Sequence, residues 1–341
     1  MNTPPTAFDL LQSAQQLMVG QQYVQAVELC KKVLNQEPER ADAWCLLGII
    51  YQRQENLTGA VDCYRHALAY APEDYAEPLN LLRHVKQSVF NQMEHYAALA
   101  MLVVQPEAYQ QFDSTVQDGP FRGMLIHDYA RTPASFTAAY EGTGKLFGHY
   151  ESELHVWIQE AIQSNLYKAI ANIGCFEGYY AVGFARSMPD VSVYAFDANE
   201  EVQRVCSRMA LANGVADRVH VSGLCSGERL QQLAVEHGKI LIFIDCEGCE
   251  EDLLDPELVP ALVHCDMIVE CHDSHDHPIT PLLFNRFRTS HQIDSVEQGG
   301  RDPNKIAFLR NLSEHFRWNA MCERRPEVMH WLRLTVLSAP D

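Results

Sequence analysis

The chain has 341 residues, 47% hydrophobic and 21% charged, a globular composition with more length than one ordinary domain needs. Its formal net charge of -19 argues against a nucleic-acid partner, which would need a basic face, and against an anionic membrane surface. The longest purely apolar run, 97–104, is too short to span a bilayer, so no membrane insertion is expected.

The opening stretch, MNTPPTAFDLL, lacks the charged start and apolar core of a secretory leader. Eleven scattered cysteines then read as reduced thiols in a cytoplasmic protein. The one close pair, Cys246-x-x-Cys249, has no second pair at zinc spacing.

Residues 6–74 repeat with a period of 34: Ala26 returns as Ala60, and Pro38 as Pro72. The second copy carries Trp44, Leu47, Gly48, Tyr51, Ala60, Tyr64, Ala67 and Pro72, and it resembles the tetratricopeptide pattern in residue types and spacing. Small residues let two helices of a hairpin approach closely, aromatic residues are expected between hairpins, and proline ends the second helix. The first copy has Leu10, Ala14 and Leu17 in place of the signature Trp, Gly and Tyr, and a third begins near Tyr75 and degenerates by Leu82. A repeat domain over 1–76 follows, all-α, offering a surface for a protein partner or for self-association. Residues 77–150 are expected to cap and connect. Their second half is rich in Pro, Gly and aromatics, too apolar for a free linker, and suits a lid over the site.

From 151 to 341 the pattern changes. Apolar runs at 167–173, 191–196, 219–223, 240–244, 266–270, 292–296 and 332–337 predict seven strands. Helical stretches at 180–187, 200–213, 227–236, 250–254 and 259–263 lie between them. Alternation of this kind predicts a mainly parallel sheet covered on both faces, with ligands beyond the carboxyl ends of the strands. Polar or acidic groups follow each of the first five: NIGCFEG, Asp197-Ala198-Asn199, Cys225-Ser226, Asp245-Cys-Glu247-Gly248 and Glu270-Cys-His272-Asp273.

The glycine spacing Gly174-x-x-x-Gly178 is not that of a dinucleotide loop, and Phe176 stands where a pyrophosphate would need room. No G-x-x-x-x-G-K-[ST] loop is present either. S-adenosylmethionine has no phosphate and needs one open glycine turn, acceptors for its amino group and an acid for its ribose hydroxyls. Asp197, 19 residues after Gly178, stands where such an acid belongs.

The stretches NIGCFEGYYAVGFA, VYAFDAN, FIDCEGCEEDLL, IVECHD and ERRPEVMHWL resemble class I S-adenosylmethionine-dependent methyltransferases, and more narrowly the FkbM-like family. The resemblance covers about 175 residues. It implies an α/β Rossmann-like domain with a seven-stranded, mainly parallel sheet whose last strand is antiparallel. It also implies methyl transfer to oxygen, with a sugar, glycan or secondary-metabolite hydroxyl as acceptor. It places the cofactor across Gly174, Cys175, Gly178, Asp197 with Ala198 and Asn199, the Cys225–Ser226 loop and Asp245. One position departs: Asn172 stands where most relatives have an acid. Asn172 is expected to accept from the cofactor amino group, and Glu177 to supply the missing carboxylate.

Asp245, Glu247, Glu270, His272, Asp273, His275, Asp276 and His277 cluster after strands four and five. Two roles stay open for them. His272 is a general base oriented by Asp245 or Glu270, or Asp245, Glu270 and Asp273 hold a divalent cation such as Mg2+ that acidifies the acceptor hydroxyl. His275 and His277 read as a solvated loop ahead of Pro278. A rival function for the whole chain is an inactive methyltransferase fold that serves as a scaffold through its repeats.

Overall fold

The computed structural model describes residues 5–70, 77–78, 80–82, 104, 107–126, 142–273, 277–323, 325 and 328–337. Two compact units divide the chain, Met1–Tyr96 and Ala97–Asp341.

The first unit holds two helical hairpins, α1 (Ala7–Val19) with α2 (Tyr23–Gln36) and α3 (Ala41–Arg53) with α4 (Leu57–Tyr70). A capping box starts it: Thr6 accepts from the Asp9 N–H and Asp9 accepts from the Thr6 N–H. Gly48 is the contact that closes the second hairpin. A Cβ there would stand 2.4 Å from the Tyr64 ring, which is fully buried and donates its hydroxyl to Gln52. Tyr64 thus packs inside its own hairpin, and Leu81 and Leu82 from beyond that hairpin pack against the same cluster. Trp44 donates to the Pro38 carbonyl at 2.7 Å and stacks on His66. Pro72, Tyr75 and most of the expected capping helix lie outside the described residues.

In the second unit the strands are β1 (Ala169–Ile173), β2 (Ser192–Phe196), β3 (Val219–Ser222), β4 (Ile240–Ile244), β5 (Asp266–Cys271), β6 (His291–Glu297) and β7 (His330–Val336). They form one sheet in the order β3-β2-β1-β4-β5-β7-β6, with β7 antiparallel to both neighbours and the remaining pairs parallel. This is a Rossmann-like sheet, seven-stranded and mainly parallel, as the sequence leads one to expect. Central β1, β4 and β5 are buried along their whole length, which is why they read as mostly apolar runs, interrupted by Asn172, Asp266 and Glu270. Edge strand β6 alternates instead.

Two apolar layers cover the sheet. One holds the helices Tyr179–Ser187 and Glu200–Ala212, the other Gly227–His237 and Ile279–Phe287. Described residues of the connecting region, among them Tyr109, Phe121, Met124, Leu146 and Tyr150, are part of the first layer. Phe121 packs where a Cβ on Gly183 would lie, 2.5 Å away, so the helix Tyr179–Ser187 needs that glycine to receive it. Residues 127–141, the bulk of the expected lid, lie outside the described residues.

Register sets the site. Ile173 pairs with both Phe196 and Ile244, and Ile244 pairs with Val269. Gly174, Asp197 and Asp245 therefore leave their strands at one level, beside Glu270 near the end of β5, at the carboxyl ends of the parallel strands.

Candidate functional site

A cavity of about 790 Å³ opens at this edge, within the size range of small-ligand sites. Gly174, Cys175, Phe176 and Glu177 form one wall, and Asp197, Ala198, Asn199 and Cys225 line it further along. Asp245, Glu247 and His272 stand across from them, with Glu323, Arg325 and Met329 from the segment before β7. Five expected residues do not line the cavity: Asn172, Gly178, Ser226, Glu270 and Asp273.

The glycine turn is shaped by the protein itself. Gly174 has φ +74°, and a Cβ there would fall 1.6 Å from the Asp245 carbonyl oxygen. Gly178 has φ +97°, and its Cβ would meet Cys206 Sγ at 2.6 Å. Both glycines thus let the β1 loop press against its neighbours, and Gly174 alone of the two also faces the cavity. The Gly174 and Cys175 N–H groups both donate to the Phe196 carbonyl, which ties the turn to the end of β2.

Asp197 braces the turn as well. Its Oδ2 accepts from the Phe176 N–H at 2.9 Å and its Oδ1 from the Asn199 N–H at 2.8 Å. A carboxylate has about four acceptor sites, so two backbone donors leave capacity for hydroxyls in the cavity. Asn199 and Ser226 are N-caps of the helices that follow β2 and β3, accepting from the Glu201 and Arg229 N–H groups.

Asn172 is buried between β1 and β4. Its Nδ2 donates weakly to the Phe243 carbonyl at 3.4 Å, and its Oδ1 has no partner among the described residues. It does not reach the cavity as an acceptor for an amino group would. Glu177 is buried too, and its Oε1 takes the Lys145 ammonium at 2.7 Å.

The second half of the site centres on His272. Its Nδ1 lies 2.5 Å from Glu250 Oε1, and its Nε2 faces Glu247 at 3.4 Å and Asp245 at 3.6 Å. The group that orients the imidazole is thus Glu250, not Asp245 or Glu270 as expected. Burial by itself would lower the His272 pKa; the hydrogen bond and charge of Glu250, with Asp245 and Glu247, outweigh it and raise the pKa above its ordinary value.

Asp245 and Glu270 approach each other across β4 and β5, with carboxyl oxygens within 4.8 Å. Burial raises both, Asp245 to about 7 and Glu270 to about 11, and the Glu151 charge adds to each shift. Arg325 binds Glu270 and Glu151 at once, and Tyr180 donates to the same Glu151. Behind them Arg301 pairs with Glu153 and Glu323. Glu151, Glu323, Arg301 and Arg325 carried no sequence signal beyond the ERRPEV stretch, because partners up to 174 residues apart meet only in the folded chain.

For a metal, the nearest set is Asp245, Glu270 and His272, whose ligand atoms lie within 4.8 Å of one another. Asp273 stands apart from it: both its oxygens are taken by the N–H and hydroxyl of Thr280, at the start of the next helix. Glu270 already holds the permanent guanidinium charge of Arg325, and His272 Nδ1 is committed to Glu250. That donor set suits a proton relay better than a dication. His275 and Asp276 lie outside the described residues, and His277 pairs with Glu251.

The cysteines need a correction. Cys246 and Cys249 are joined as a disulfide, and the other nine are outside any disulfide. The bridge closes the loop immediately after Asp245, where Glu247 and Gly248 both have positive φ, 56° and 111°. Among the described residues, no helix is long and apolar enough to cross a membrane.

Residues 41–74 match the family described as tetratricopeptide repeat. No characterised protein matches the chain by sequence. Among solved structures, the chain is similar to the O-methyltransferase from Bacillus cereus in complex with SAH, at 14% identity and a TM-score of 0.39, covering 72% of this chain and 100% of that one. It is also similar to precorrin-6y C5,15-methyltransferase from Geobacter metallireducens, at 12% identity and a TM-score of 0.35, covering 52% and 87%. A third similarity is to precorrin 8w decarboxylase from Methanobacterium thermoautotrophicum, at 14% identity and a TM-score of 0.33, covering 50% and 81%.

Proposed function

We propose that the second unit is an S-adenosylmethionine-dependent methyltransferase that acts on a hydroxyl of a small molecule or glycan, such as a sugar or secondary metabolite. The observation that carries this is the joining of two chemistries in one cavity. The glycine turn and Asp197 line one side, and His272 with its buried Glu250 partner lines the other. The FkbM-like assignment rests on the sequence stretches that resemble that family.

The residues present fit the cofactor. Asp197 keeps acceptor capacity for ribose hydroxyls, and Phe176 narrows the turn against a pyrophosphate. When bound, S-adenosylmethionine supplies a methyl group activated on a sulfonium. His272 Nε2 takes the acceptor hydroxyl's proton, while Glu250 fixes the tautomer and stabilises the imidazolium that results. Asp245 and Glu247, on the same side of the ring, attract a polar acceptor to Nε2. Positioning of this kind and proton removal are what the protein must add, since the displacement itself needs only alignment.

Calorimetric titration with S-adenosylhomocysteine, then methyl-transfer assays over a panel of polyols and phenols, tests the proposal. Binding is expected, and His272→Ala should lower turnover about 10²–10³-fold at unchanged cofactor affinity. Asn172 favours the scaffold alternative, since no acid stands at that position. An absence of binding at millimolar cofactor would support it. In either case the repeats of the first unit are proposed to dock a protein partner or a second copy.

A further inference from the structure

Lys145 takes no part in the chemistry above. It belongs to the short helix Gly142–Phe147, ahead of the sheet, yet it lines the same cavity. Its Nζ lies 2.7 Å from Glu177 Oε1, and the two side chains are 3% and 2% exposed. Apolar side chains of similar volume would fill this space at no cost in desolvated charge, so packing alone is a poor reason for the pair. The ammonium lies over the Tyr150 ring at 4.5 Å and the Phe176 ring at 5.3 Å, both cavity residues. Glu177 Oε2 is fully buried and has no hydrogen-bond partner among the described residues. A buried carboxylate oxygen without a donor marks a place where one is expected to arrive.

We infer that Lys145 and Glu177 together read the zwitterionic amino-acid end of the cofactor. Glu177 Oε2 accepts from the ligand's ammonium, and the Lys145 ammonium faces the ligand's carboxylate. The inference rests on the methyltransferase reading and deepens it. It also revises the idea that Glu177 simply replaces the acid missing at Asn172. A lone buried carboxylate would carry an uncompensated charge in the empty site. The pair is neutral when empty and presents one charge of each sign to a ligand that carries both. The flanking rings exclude water, so each attraction is less screened than at the surface.

Calorimetry on the full chain tests this with two ligands. S-adenosylhomocysteine has the amino-acid end; 5′-methylthioadenosine keeps the adenosine and thioether and lacks that end. Wild type should prefer S-adenosylhomocysteine by more than tenfold. Lys145→Met and Glu177→Gln should each weaken S-adenosylhomocysteine about tenfold to a hundredfold and leave 5′-methylthioadenosine within about threefold. Either single change strands a buried charge. The double variant Lys145→Met/Glu177→Gln removes both, and its folding is verified by circular dichroism. It should bind the two ligands alike. Equal weakening of both ligands in every variant would show a structural role and overturn the inference, as would a wild type that does not discriminate. A wild type that binds neither ligand overturns the cofactor reading itself.

Discussion

His272 Nδ1 is held 2.5 Å from Oε1 of Glu250, a carboxylate with no exposed surface, on the first turn of the helix Glu250–Leu253. The imidazole therefore presents Nε2 to the cavity in a fixed tautomer when neutral. Only the neutral ring accepts a proton, so turnover should rise with pH through the His272 pKa. That pKa lies above the ordinary histidine value, because Glu250, Asp245 and Glu247 together outweigh burial.

Glu250→Gln removes the leading cause of that upward shift and leaves burial less opposed. The midpoint of the pH–rate profile should then move to lower pH, while the plateau rate falls because the ring's orientation is less well held. A profile of kcat against pH for wild type and variant reads both effects. An unchanged midpoint would place the titrating group elsewhere.

Asp197→Asn separates the cavity's two sides. The Asp197 oxygens accept from two backbone N–H groups, and an amide can face only one of them with an acceptor. The other would meet an NH2, two donors in opposition, and the β1 turn would loosen. Affinity for S-adenosylhomocysteine should fall about tenfold to a hundredfold. The upward pKa of His272 has other causes, so the pH midpoint should stay in place. Calorimetry and the pH profile, taken together, check this.

The strands were legible because their apolar runs are long where β1, β4 and β5 lie at the sheet centre. β7 is legible because Trp331, Leu332, Leu334 and Val336 keep most of the segment apolar around Arg333 and Thr335. The meeting of Asp245 with Glu270 also followed from placing strands four and five side by side. The partner of His272 did not. Glu250 lies 22 residues before it, on the helix that follows the Cys246–Cys249 loop, and no local pattern encodes their contact. Gly174 was read as an opening for a ligand, and its main constraint is the Asp245 carbonyl. Glycine in a sequence signals close approach without saying to what.

Gly174→Ala should accordingly fail as a fold before it fails as a site. Its Cβ would overlap a backbone oxygen at 1.6 Å, at a φ that side chains rarely adopt. The cost is about 3 kcal/mol, the upper part of the overpacking range. The urea unfolding midpoint should drop accordingly. Gly48→Ala makes the parallel case in the repeats, against Tyr64. Hydrogen exchange there should speed up over 41–70 and stay unchanged over 169–273.

The Cys246–Cys249 bridge is the last element with a measurable consequence. It spans Glu247, a non-glycine residue at φ 56°, which makes this segment a poor candidate to hold its shape unaided. The same loop carries Glu247 to Nε2 of His272 and leads directly into Glu250 at Nδ1. Reduction with a dithiol should relax both carboxylates. Misplacement of a base by a fraction of an ångström costs about tenfold in turnover. The glycine turn meets the bridged loop at the Asp245 and Cys246 backbone but is tied by its own hydrogen bonds to Phe196, so S-adenosylhomocysteine affinity should fall less than turnover does. The Cys246→Ser/Cys249→Ser protein should match the reduced wild type and be indifferent to reductant. If reduction leaves turnover untouched while free-thiol titration shows two new thiols, the loop holds its carboxylates without the bridge.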